Sequence, residues 1–83
     1  MSWGVVLTDR ARRDLRRLDR TVAARVVEAI ERFAADGTGD VTRLRGSQES
    51  RLRVGDWRVR IQFDHGERRI EVLRILPRGR AYR

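Results

Sequence analysis

"RLRVGDWRVRIQF" occupies residues 51–63, and its apolar and charged residues alternate on either side of Gly55-Asp56. A period of two marks a strand with one buried face, and a Gly-Asp pair between two such runs marks a two-residue hairpin turn. The turn sets Val54 against Trp57, Arg53 against Arg58, Leu52 against Val59 and Arg51 against Arg60. Leu52, Val54, Trp57, Val59, Ile61 and Phe63 then share an apolar face for helices to cover, and Arg51, Arg53, Arg58, Arg60 and Gln62 line the other. Like charges directly opposite on a sheet cost a few tenths of a kcal/mol up to ~1 kcal/mol per pair. Two adjacent arginine pairs therefore need compensation. In one account the guanidinium groups splay into water and Glu49 or Glu71 offsets them. In the other the face is concave and binds a phosphate chain, to which guanidinium forks donate paired hydrogen bonds. The hairpin alone does not choose between these.

Outward from the hairpin, "DHGER" leads to a further strand at 69–76, which makes strands 51–54, 57–63 and 69–76 an antiparallel meander. Near the start, Trp3, Val5 and Leu7 alternate with Gly4 and Val6 as a first strand. Thr8 is placed to cap a helix over 9–18, with Ala11, Leu15 and Leu18 on its apolar stripe and Arg10, Arg12, Arg13, Arg16 and Arg17 around the rest. Asp19 is placed to cap a second helix over 20–35, where Val22, Val26, Ile30 and Phe33 recur at helical spacing and Gly37 stops the pattern. "VTRLRGSQES", 41–50, reads as a short extended piece followed by a polar turn. The order is β-α-α-β-β-β: an α+β fold with two consecutive helices on one face of a small, mostly antiparallel sheet.

Residues 1–83 are short enough to form one domain with a modest core. The net charge is +8, and all twenty basic residues are arginine. A charge this high on so small a surface implies a polyanionic partner, either nucleic acid or an acidic protein, with contacts that weaken as salt rises. There is no cysteine, which excludes disulfides and thiolate metal sites, and His65 has only carboxylates for company, so neither metal nor cofactor is expected. No apolar run approaches the ~20 residues of a membrane span, and the opening residues are not those of a signal peptide; a soluble, cytoplasmic protein is expected. The tail "RILPRGRAYR" brings Arg74, Arg78, Arg80, Arg83 and the phenol of Tyr82 toward the same sheet edge if the chain turns back across it. That would join cations and a titratable hydroxyl to the hairpin arginines.

The segments "LTDRARRDLRRL", "LRGSQESRLRVGDWRVRIQF" and "RILPRGRAYR" together resemble the RelE/ParE toxin superfamily, in particular its RelE-like mRNA interferase branch. The most specific part is Arg51-Leu-Arg-Val-Gly-Asp-Trp-Arg58, followed by Arg78 and Tyr82-Arg83. The resemblance implies the toxin of a type II toxin–antitoxin pair that enters the A site of the 70S ribosome and cleaves mRNA there. The attacking group is the RNA's own 2′-hydroxyl, without metal. It further implies Arg53, Arg58, Arg78 and Tyr82 as catalytic residues and Arg51 as an RNA-binding residue; Arg60 on the hairpin face and Arg80 and Arg83 in the tail are expected to bind RNA beside them. Its implied partners are a cognate antitoxin, mRNA and ribosomal RNA. Some members carry lysine where Arg51 and Arg53 stand, and a histidine where Pro77 precedes Arg78, so the resemblance leaves the general base and acid unassigned; Glu49 is a candidate base. A ParE-like inhibitor of DNA gyrase, or an inert relative that only binds its antitoxin, would share the fold.

Overall fold

The structure, a computed structural model, describes residues 2–79. Its elements are β1 (Gly4–Leu7), α1 (Asp9–Arg16), α2 (Arg20–Asp36), β2 (Asp40–Arg43), β3 (Glu49–Val54), β4 (Trp57–Asp64) and β5 (Arg69–Pro77). They form a five-stranded sheet in the order β1-β5-β4-β3-β2, with β1 parallel to β5 and every other neighbour antiparallel. The fold is therefore α+β, with one strand more than the meander alone supplies. The addition is β2, which the sequence presents as a short extended piece. Four residues with only Val41 facing inward carry too little period to register as a strand, yet they pair in register with Arg53 to Ser50 of β3.

The hairpin pairs as its alternation requires, Val54 with Trp57, Arg53 with Arg58, Leu52 with Val59 and Arg51 with Arg60. Gly55 alone in the turn has positive φ, 58°, which fits a type II′ turn with glycine first. A side chain at position 55 would also come within 3.3 Å of Arg25 Nη2, which reaches over the turn from α2. Leu52, Val59 and Ile61 are buried with Ile70, Val72 and Ile75 of β5 and with Ala11, Val26, Ile30 and Ala34 of the helices. Val54, Trp57 and Phe63, expected on the same face, border that core and are partly buried.

Thr8 caps α1 as its position suggests, its hydroxyl oxygen accepting from the Ala11 amide at 3.1 Å. The helix stops at Arg16, two residues short of the apolar stripe, because its last turn tightens: the Leu18 amide bonds Leu15 O at 3.2 Å. Asp19 occupies the N-cap of α2 but makes no side-chain capping bond. At the other end Gly37 adopts φ 81°, the left-handed cap that a glycine supplies without strain.

The alternation of β5 breaks once. Ile70 and Val72 face the core, and so does Ile75, so one extra residue must be absorbed between them. The register against β4 shifts there by one, between Arg60 and Ile61, leaving Leu73 as the bulge. The start of α1 and its Asp14 then cover the edge of β5 beyond β1. Thr8 Oγ1 donates to Leu73 O at 2.9 Å, and the Ile75 amide donates to Asp14 Oδ2 at 2.9 Å.

Candidate functional site

The face of the sheet away from the helices carries the arginines. Cross-strand pairing places Asp40 opposite Arg53 and Arg53 opposite Arg58 in one row, and Thr42, Arg51, Arg60 and Arg74 in the next. A groove of about 340 Å³ opens over the β2 side of this face, lined by Asp40, Thr42, Arg43, Leu44, Arg45, Arg51, Arg53 and Arg58. Five guanidinium groups and one carboxylate surround that space, a composition suited to a polyanion.

Arg58 forms the buried part of the groove at 6% exposure. Its Nη1 donates to Gly55 O at 2.9 Å and Trp57 O at 3.0 Å. Both acceptors are neutral, so the guanidinium is held in place while its charge stays uncompensated, and Nε and Nη2 have no partner among the described residues. A cation fixed in advance and already withdrawn from water interacts strongly with charge that develops beside it. Arg53 is exposed and Arg51 half-buried, both on the same groove.

The row next to the groove differs. Arg60 donates from Nε to Glu49 Oε2 at 2.9 Å and from Nη2 to Glu49 Oε1 at 2.8 Å, a side-on pair. Arg74 makes the same arrangement with Asp14, at 2.8 and 3.2 Å. Burial of the Asp14 carboxyl favours its neutral form, but the hydrogen bonds from Arg74 and the Ile75 amide, with the charges of Arg74 and Arg17, outweigh this and hold its pKa below the ordinary value. Of the two compensations open to the hairpin arginines, Arg60 takes the carboxylate of Glu49, whereas Arg58 has no carboxylate among the described residues and is held by backbone carbonyls instead. Glu49, the candidate base, is thereby engaged as a hydrogen-bond acceptor.

Arg78 follows β5, and its amide donates to Asp56 O at 2.9 Å, which brings the backbone of the tail alongside the hairpin turn; its side chain is exposed. Arg80, Tyr82 and Arg83 lie outside the described residues. The structure thus gathers Arg51, Arg53 and Arg58 in one groove, sets Arg78 beside the adjoining turn, and ties Arg60 to Glu49. Two groove residues escaped the sequence reading, Arg43 and Arg45. Their signal is the alternation Thr42-Arg43-Leu44-Arg45, which repeats that of residues 50–53 at a length too short to weigh by itself. Among the described residues no group of three or more carboxylate or histidine side chains is placed to hold a metal, and no helix is long and apolar enough to cross a membrane.

Comparison with known proteins follows the same outline. The family model described as the ParE toxin of the type II toxin–antitoxin system parDE matches residues 5–82. The toxin in the archaeal RelE–RelB complex from Pyrococcus horikoshii is 25% identical, superposes with a TM-score of 0.81, and is matched over 96% of this chain and 99% of that one. The RelBE2 toxin–antitoxin complex of Mycobacterium tuberculosis gives 27% identity and a TM-score of 0.76, over 94% of this chain and 100% of that one. The RelBE complex of E. coli, at 17% identity and a TM-score of 0.72 over 92% and 96% of the two chains, shares the fold. No curated protein matches the sequence.

Proposed function

This chain belongs to the RelE/ParE superfamily of type II toxins, and from that premise we propose that it is a ribosome-dependent endoribonuclease that cleaves mRNA in the A site by attack of the 2′-hydroxyl. The observation that carries the proposal is the groove in which Arg51, Arg53 and Arg58 converge around an immobilised guanidinium. Attack of a 2′-oxygen on the adjacent phosphorus builds negative charge on the non-bridging oxygens. The 2′-hydroxyl gives up its proton to solvent as the O2′–P bond forms and the P–O5′ bond breaks; the downstream RNA departs as a 5′-oxyanion that takes up a proton, and a 2′,3′-cyclic phosphate remains. Donors fixed before the reaction stabilise the dianionic transition state more than the monoanionic ground state. Arg58 takes that role, with Arg51 and Arg53 holding adjacent phosphates. Arg78 acts at the leaving 5′-oxygen. Tyr82 stacks on a base, and Arg80 and Arg83 extend the contact with the RNA backbone.

A cognate antitoxin is the second partner in this proposal, since the similar solved structures are toxin–antitoxin complexes. A segment rich in carboxylates would find complementary charge in the groove. The alternative is a ParE-like inhibitor of DNA gyrase, and the matching family model, described as a ParE toxin, favours it. Inducing the chain in cells and mapping mRNA 5′ ends on ribosomes separates the two. Codon-phased ends that vanish with Arg58→Ala and with Arg78→Ala support the nuclease. Growth arrest with intact mRNA and loss of DNA supercoiling rejects it for the gyrase reading.

A further inference from the structure

We infer that Glu49, with Asp14 as its counterpart, sets the path of the RNA by occupying Arg60 and Arg74, so that phosphates run over Arg43, Arg45, Arg53 and Arg58 instead of across the whole arginine face. The inference rests on the RNA-binding reading above and concerns the same surface. Arg60 and Arg74 stand opposite each other on β4 and β5. The two oxygens of each carboxylate meet Nε and Nη2, the side of the guanidinium that a phosphate would use for a paired hydrogen bond. Side-chain exposure is 26% and 21% in the Arg60–Glu49 pair and 26% and 10% in the Arg74–Asp14 pair, so salt screens both pairs weakly. A phosphate could capture either arginine only by displacing a carboxylate from its two hydrogen bonds.

Among the described residues no carboxylate pairs in this way with Arg43, Arg45, Arg53 or Arg58. Arg43, Arg45 and Arg53 are exposed. Arg58 is held by carbonyls that leave its charge in force. One sheet face therefore has two electrostatic halves, an active half toward β2 and a neutralised half toward β5. Asp14 titrates below the ordinary carboxyl range, so its arginine stays occupied at neutral pH.

The test uses a fluorescent ten-nucleotide oligouridylate with 2′-O-methyl groups, which cannot react through its 2′-oxygens. Its affinity for the full chain is measured as a function of salt for the wild type, Glu49→Gln, Asp14→Asn and Glu67→Gln. Glu67 sits exposed on the β4–β5 turn, so its substitution makes the same change of net charge away from the groove. Releasing Arg60 or Arg74 should tighten binding about fivefold beyond Glu67→Gln and steepen the slope of log K against log salt by about 0.7, the value for one added phosphate contact on a single strand. Should Glu49→Gln fail to fold, Asp14→Asn carries the test, because the asparagine Oδ1 can still accept from the Ile75 amide. Affinities and slopes equal to those of Glu67→Gln, or weaker binding, would overturn the inference. The probe needs neither ribosome nor cleavage, so absence of mRNA cutting would defeat the nuclease proposal alone, whereas equal slopes would defeat this inference alone.

Discussion

In the proposed mechanism Arg58 has both a structural and a chemical part. Its Nη1 closes the hairpin turn through Gly55 O and Trp57 O, and the rest of the guanidinium is left to the groove. A lysine keeps the charge and loses the planar fork, so Arg58→Lys should fold and lower the cleavage rate by about 10²–10³, the cost of removing one fixed transition-state donor. Single-turnover cleavage on programmed ribosomes, alongside a thermal melt, measures both parts. Asp14 provides a second test at this scale. Its folded-state pKa lies below the ordinary 3.8, so its contribution to stability is present above that value and is lost as pH falls through the folded pKa. Asp14→Asn should cost about 1–3 kcal/mol at pH 7 in urea denaturation, and the gap from wild type should close as the pH is lowered below about 4. The hairpin arginines and their face were legible because period-two alternation assigns faces without long-range information. The Asp14–Arg74 pair was not, since the partners lie 60 residues apart and meet only through the docking of α1 on β5.

At the scale of elements, β5 is the most informative. Its apolar residues fall at 70, 72 and 75, so strict alternation would bury Arg74 and expose Ile75; the bulge at Leu73 restores the match. Ile75 is 2% exposed, and Ile75→Ala should destabilise the protein by about 2–4 kcal/mol. Equilibrium unfolding in urea measures this, and an unchanged midpoint would place the residue outside the core. The break in alternation is visible in "RIEVLRILP", but its resolution needs Thr8 and Asp14, which satisfy Leu73 O and the Ile75 amide. Strand β2 is the opposite case. Its pairing is regular, yet its four residues, mostly exposed, leave little hydrophobic pattern to read. The groove wall of Arg43 and Arg45 was missed with it.

For the whole molecule, the helix order and the meander were readable from periodicity, while the parallel pairing of β1 with β5 was not. Pairing Gly4–Leu7 with Arg69–Val72 joins nearly opposite ends of the chain, and no local pattern encodes it. That pairing leads α1 onto the edge of β5 and leaves the opposite face of the sheet to its arginines. The central claim is that this face holds a scissile phosphodiester in its groove. The most direct measurement is the chemistry of the RNA end produced when purified toxin meets a ribosome programmed with a defined A-site codon. The account predicts a 2′,3′-cyclic phosphate facing a 5′-hydroxyl within the A-site codon, absent when the 2′-hydroxyl at that position is replaced by hydrogen and absent with Arg58→Ala. Intact mRNA with properly folded toxin, or cleavage that survives Arg58→Ala, would contradict it.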